Sequence, residues 1–330
     1  MSNYFVFLFF VFLPAGWAKH WLVPESLVSG VLVDYLMPDL WLQDLIALVI
    51  VFFNWRATRE FWLNKKRVLP LLVLFLGLSF SSWPGISLLL LVRFCLALTV
   101  GVLLLEGQLD RNWAKKGLLL ALIWTVGLAI AQFLNQGTVL GWWFLGEPIF
   151  GSASGGVKKI ANLVMPMATL PHFNVLIAFC LLSLLVFKKK LALLLAGLVL
   201  LLKLTVFEPI SFYRRWELAK IAWLMFASRP FFGIGWGTFV KQLPWFTQGF
   251  RFLQPVHNVF LLILSELGLV GGVSVFLLVK DFFRKRNFWL LLFCLGFCLV
   301  DHFFWTTTQG IYMFFAFLSF LPVEDDRKLR

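Results

Sequence analysis

Apolar runs long enough to form buried helices recur along the chain, separated by short polar or basic breaks, and they predict helices rather than strands. A helix needs about 20 apolar residues to cross a bilayer, within a range of about 17–25. Ten stretches approach this: 3–18, 41–55, 68–83, 85–106, 117–136, 171–187, 191–207, 258–279, 288–304 and 310–323. The expected fold class is all-α: a polytopic integral membrane helical bundle of about ten (8–12) transmembrane helices, one membrane domain over 1–330. The first stretch, Tyr4 to Ala18, has the length of a signal-peptide core. No basic residue precedes it and Lys19-His20 follows where cleavage needs small residues, so it is read as a helix.

Composition strengthens the membrane reading. Of 330 residues, 61% are hydrophobic and 14% charged, against about 25% charged in soluble domains. So much apolar surface does not fit one aqueous core. Four cysteines, Cys95, Cys180, Cys294 and Cys298, all lie inside apolar runs and read as small buried hydrophobes. No cofactor and no metal site is expected.

The net charge of +13 would suit nucleic acid, but its placement argues against that partner. Arg56, Arg59, Lys65, Lys66 and Arg67 fall in one connection, then Arg111, Lys115 and Lys116, then Lys188 to Lys190, then Lys280, Arg284, Lys285 and Arg286, and finally Arg327, Lys328 and Arg330. The alternate short connections, 19–40, 84 and 305–309, carry only Lys19. Positive residues face the cytoplasm, so both termini are expected there. Two long connections then fall outside: 137–170, rich in glycine and serine, and 208–257, which holds a helix-like stretch from Arg214 to Ser228. Loops of this length are commonly functional. Arg93, in mid-span, is expected to face the bundle, as a functional group or as an ion-pair partner, and Lys203 to snorkel outward.

Chemistry concentrates where the second long loop ends. The chain reads Gln254-Pro-Val-His257-Asn258, and Glu266, Gly268 and Gly271 follow within the next apolar run. A histidine at a helix mouth is a candidate general base for a hydroxyl. A carboxylate at membrane depth is a functional candidate by default, and the two glycines would allow close helix packing. Upstream stand Ser211-Phe-Tyr-Arg214-Arg215-Trp216-Glu217 and Arg229-Pro230-Phe-Phe-Gly233-Ile-Gly235-Trp-Gly237-Thr-Phe239. Earlier still is Thr169-Leu-Pro171-His172-Phe-Asn174, and Asp301-His302 opens a polar stretch that runs to Gly310.

These stretches resemble the O-antigen ligase family, which includes lipid A-core ligases, Wzy-type polysaccharide polymerases and bacterial O-linked oligosaccharyltransferases. His257-Asn258, nine residues, Gly268, two residues and Gly271 match the family's histidine motif. The Arg214–Arg215 helix with its glycine turn resembles the family's arginine loop, and 169–174 its "GTFPHPN" stretch. The resemblance covers about 150–310. It implies a multi-pass protein of the bacterial cytoplasmic membrane and a glycan donor carried on undecaprenyl diphosphate. The glycan passes to an acceptor hydroxyl of a glycolipid, polysaccharide or protein on the outer face, without metal or nucleotide sugar. It implies catalytic roles for His257 and Arg215. Arg214, Arg229, Asn258, Glu266, His172 and Asn174 would line the substrate, with Asp301 and His302 at the acceptor. Guanidinium pairs diphosphate bidentately, and the glycine turn would bring backbone N–H donors close to it. Where the family carries an arginine three residues before "GTF", this chain has Met165; Lys158 and Lys159 are the nearby cations that could replace it. The competing expectations are a transporter or flippase of lipid-linked glycan, whose polar residues should lie at mid-depth, and a catalytically degenerate member acting in envelope assembly.

Overall fold

A computed structural model describes residues 2–151, 154, 158–160, 162–188, 190–195, 209–247, 253–284 and 288–320. The described residues are predominantly helical. In chain order the helices are α1 (Ser2–Val11), α2 (Leu42–Phe53), α3 (Trp55–Leu63), α4 (Lys65–Gly77), α5 (Pro84–Leu105), α6 (Arg111–Asn135) and α7 (Phe173–Phe187). Then follow α8 (Pro209–Ser228), α9 (Phe239–Phe246), α10 (Val259–Val279), α11 (Asp281–Arg284), α12 (Phe288–Val300), α13 (Phe303–Thr306) and α14 (Thr308–Ser319). Helices coincide with nine of the ten apolar stretches, and most of the tenth, 191–207, lies outside the described residues. Among the described residues, three helices can cross a membrane by length and composition: α5, α6 and α10. The other helices at the apolar stretches are shorter than the sequence pattern predicts.

Helix α1 shows why. The apolar run reaches Ala18, but the helix stops at Val11, because Pro14 cannot donate a backbone N–H and Gly16 follows. The carbonyls left over at its end are satisfied by two buried glutamines. Gln43 Nε2 donates to the carbonyls of Phe12 (2.7 Å) and Ala15 (2.7 Å), and Gln309 Nε2 to those of Pro14 (2.9 Å) and Ala15 (2.8 Å). Two distant helices are thereby fixed to one turn.

Helix α5 is the most enclosed of the long helices. It packs on α14, while α10 packs on α4 and α8, and α1 on α6. Aromatic rings fill the centre: Trp236 stacks on Trp305 with centroids 4.6 Å apart, and Phe94 meets both edge-on.

The connections 19–40 and 137–170 carry short antiparallel pairs. In the 19–40 connection β1 (Ala18–His20) pairs with β4 (Asp39–Trp41), and β2 (Leu27–Val28) pairs with β3 (Val31–Leu32). In the first long loop β5 (Lys159–Ile160) pairs with β6 (Leu163–Val164). The helix-like stretch 214–228 of the second long loop is α8, which begins five residues earlier, at Pro209.

Arg93 is an ion-pair partner. It is 3% exposed and reaches Asp44 from Nε (3.0 Å) and Nη2 (2.8 Å), and Asp39 from Nη2 (2.7 Å). Tyr312 donates its hydroxyl to Asp44 (2.8 Å), and the Trp41 backbone N–H donates to the same carboxylate (3.1 Å). Buried charge is tolerable because every charged group here is paired and hydrogen-bonded. Lys203 lies outside the described residues.

Candidate functional site

Three of the chain's four histidines meet at one polar rim. His257 precedes α10, His302 lies between α12 and α13, and their rings stand 5.0 Å apart. Asp301 joins them: His257, Asp301 and His302 each offer a donor atom, all within 4.8 Å of one another. His172, capping α7, lies close enough for its charge to act on all three.

The sequence fixes each group locally. Thr306 donates its hydroxyl hydrogen to the His302 carbonyl (3.2 Å), so its oxygen accepts from His302 Nδ1 (2.7 Å). That assignment puts the hydrogen on Nδ1 and leaves the Nε2 lone pair of His302 available. The His172 Nδ1 accepts from the Asn174 backbone N–H (3.1 Å), and Asn174 Nδ2 donates to Asp301 Oδ2 (3.4 Å). Asp301 Oδ1 also accepts the His302 backbone N–H (2.8 Å). The carboxylate is therefore oriented from two helices.

His257 differs from its neighbours in one respect: its Nδ1 is buried with no hydrogen-bond partner among the described residues. Burial, and next the neighbouring His302, hold its pKa well below the ordinary imidazole value, so it is neutral at pH 7. His302 is lowered too, chiefly by burial. Burial acts to raise Asp301, but the imidazoles and the His302 backbone N–H outweigh it and its pKa is lowered.

Arg215 arrives from α8. Its Nη1 donates to the Val300 carbonyl (3.4 Å), next to Asp301, and its charge acts on both His257 and His302. The rim thus assembles groups from 172–174, 215, 257 and 301–306.

Other candidate residues do different work. Arg214 is half-buried one position before Arg215, so it leaves α8 about 100° around the axis. Arg229 is exposed and lies just past the end of α8, fourteen residues beyond Arg215 and about 21 Å away along the helix axis, where it donates to the Phe80 carbonyl (3.4 Å). Asn258 caps α10, accepting from the Leu261 N–H (2.9 Å), and donates to the Leu299 carbonyl (3.2 Å). Lys158 and Lys159 stand at the β5–β6 hairpin, which is tied to the end of α6 by the Val164 N–H donating to Gln136 (2.8 Å).

The glycine turn corrects the expectation of an anion cradle. Its N–H groups are already used: Ile234 donates to the Ser265 carbonyl (3.0 Å) and Gly235 to that of Glu266 (2.9 Å). In return Leu269 and Val270 donate to the carbonyls of Pro230 (2.8 Å) and Phe231 (3.0 Å). This exchange requires α10 to break at Gly268, whose φ of 64° is left-handed, and a Cβ there would sit 2.4 Å from the Phe231 carbonyl carbon. Gly268 therefore unwinds a helix to dock a turn, which the expected stripe of small packing residues did not anticipate. Glu266 belongs to the same joint. Fully enclosed, it accepts from the backbone N–H groups of Gly237 and Phe239 and from Trp305 Nε1 (3.2 Å). Its carboxylate pins the turn to α10.

Tyr35, from the 19–40 connection, was not foreseen as a rim residue. Its ring lies edge-on to His302 (5.6 Å), and burial, with Asp301 and Asp34 adding to it, pushes its pKa up to about 12. The available signal was compositional: tyrosine is scarce in this chain, with four in all, and this one sits in a connection beside Asp34. Below the rim an apolar groove of about 390 Å³ runs between α10 and α12, from Val259 and Trp305 past Ile263 and Cys298 to Phe276.

Comparison with protein-family models, with curated proteins and with solved structures finds no match to this chain.

Proposed function

We propose that this protein is a membrane glycan transferase of the O-antigen ligase kind. It would move a glycan from an undecaprenyl diphosphate carrier to an acceptor hydroxyl on the extracytoplasmic face of the bacterial inner membrane. The observation that carries the proposal is the meeting of His257 and Arg215, 42 positions apart in sequence, at one polar rim. These are the two residues to which the family resemblance assigns the chemistry.

A base must be unprotonated before it acts, and burial keeps His257 neutral. In the proposed step His257 accepts the proton of the acceptor hydroxyl. The hydroxyl oxygen bonds to the anomeric carbon as the bond from that carbon to the phosphate oxygen breaks, with inversion. The diphosphate leaves with its electron pair and is held by Arg215. Asp301, whose carboxylate is fixed by Asn174 and His302, stabilises the imidazolium that forms. The apolar groove starting at Val259 suits the carrier's isoprenoid tail. On this reading the shorter apolar helices complete about ten spans, and the basic connections lie inside with both termini.

The glycan profile of a deletion strain tests the proposal. Complementation with the wild type restores the glycan, while His257→Ala and Arg215→Ala, present at equal levels in the membrane, do not. Restoration by both variants contradicts the mechanism.

A further inference from the structure

We infer that His257, Asp301 and His302 form a binding site for one borderline divalent cation of the zinc class. The inference concerns metal binding alone and does not depend on the transferase reading.

Two imidazole nitrogens and one carboxylate oxygen within 4.8 Å of one another are the donor set that zinc and cobalt favour, with a fourth position left to water. Bonds of about 2.0–2.1 Å place tetrahedral donors about 3.4 Å apart, so the widest pair must close by about 1.4 Å. His257 can make that movement, because it precedes the first turn of α10 and its Nδ1 holds no partner among the described residues.

The supporting bonds are those a metal site requires. His302 Nδ1 lies 2.7 Å from the Thr306 hydroxyl, the kind of outer partner that orients a ligand imidazole. Asp301 accepts one bond on each oxygen, from Asn174 (3.4 Å) and from the His302 backbone (2.8 Å). A carboxylate oxygen has two lone pairs, so each retains one. Arg215 opposes a dication at this position and limits the affinity; the anionic Asp301, a direct ligand, outweighs it at shorter range. A metal-bound imidazole cannot also act as a base, so zinc would inhibit transfer and a chelator would leave it intact.

Cobalt titration of the full-length, tag-free protein in detergent tests the site, read by the visible d–d absorption of bound Co²⁺ with Zn²⁺ as competitor. One Co²⁺ per chain is expected, displaced by one Zn²⁺, with the band lost in Asp301→Asn and His302→Gln and unchanged in His20→Ala. Thr306→Val keeps all three ligands and should weaken binding by roughly 10–100-fold, the usual cost of losing an outer partner; it maintains the test if a ligand variant fails to fold. A featureless wild-type spectrum, or an affinity unchanged in Asp301→Asn, His302→Gln and Thr306→Val, overturns the inference. No glycan is present in this titration, so its outcome is separable from the transferase proposal.

Discussion

Two charged clusters of similar size lie in this molecule, and they differ in how completely they are satisfied. Around Arg93, both carboxylates, the tyrosine hydroxyl and the guanidinium bond one another within 2.7–3.3 Å. Around His257 a buried ring nitrogen has no partner among the described residues, Asn174 reaches Asp301 at 3.4 Å, and Arg215 holds a carbonyl at only 3.4 Å. A saturated cluster has no bonding capacity left for a ligand and serves to hold helices together. Spare capacity in a buried site costs about 1–3 kcal/mol for each unpaired group.

The sharpest way to break the contrast is Arg93→Ala. It leaves Asp39 and Asp44 without their cation, and the expected loss is about 3–5 kcal/mol of stability, seen as a collapse of the melting temperature in detergent. His257→Ala should leave melting nearly unchanged, because the group removed has an unmet bond, while transfer falls roughly 10²–10⁴-fold, the usual share of a general base. If His257→Ala destabilises as much as Arg93→Ala, the two clusters do not differ in kind.

The pH response separates them further. Burial holds His257 and His302 below the 6.5 of a free imidazole. As pH falls through that value the unfolded chain takes up protons that the folded chain refuses, so stability declines towards acid. The melting temperature should therefore drop between pH 7 and pH 5, and His257→Ala should flatten part of that slope. An equal slope in the variant would show that His257 titrates normally. The smallest expected effect is at Asn258. Asn258→Ala removes a helix cap and should cost about 1 kcal/mol, measured by thermal unfolding, which tells the motif's capping residue from its reactive one.

Much of this was legible in the sequence, for identifiable physical reasons. Apolar runs located the helices because burial sets their spacing. Their ends were less visible: Pro14 and the capping by Gln43 and Gln309 stop α1 seven residues before its apolar run ends. At the rim, His257, Asp301, His302, His172 and Arg215 were all candidates by chemistry, but Tyr35 was missed because its approach depends on how the 19–40 connection folds back. Glu266 and the glycine turn were assigned to a ligand because sequence shows donors and acceptors without their partners. Here they are one another's partners, and their joint depends on the left-handed backbone at Gly268. Met165, where the resemblance would place an arginine, donates its backbone N–H to the Lys158 carbonyl (2.9 Å).

The most direct test of the account is transfer by purified protein in proteoliposomes, supplied with an undecaprenyl-diphosphate-linked glycan and a hydroxyl acceptor. The account predicts turnover by the wild type and at least about a 100-fold loss in His257→Ala at an unchanged melting temperature. Equal rates in the two proteins would contradict it.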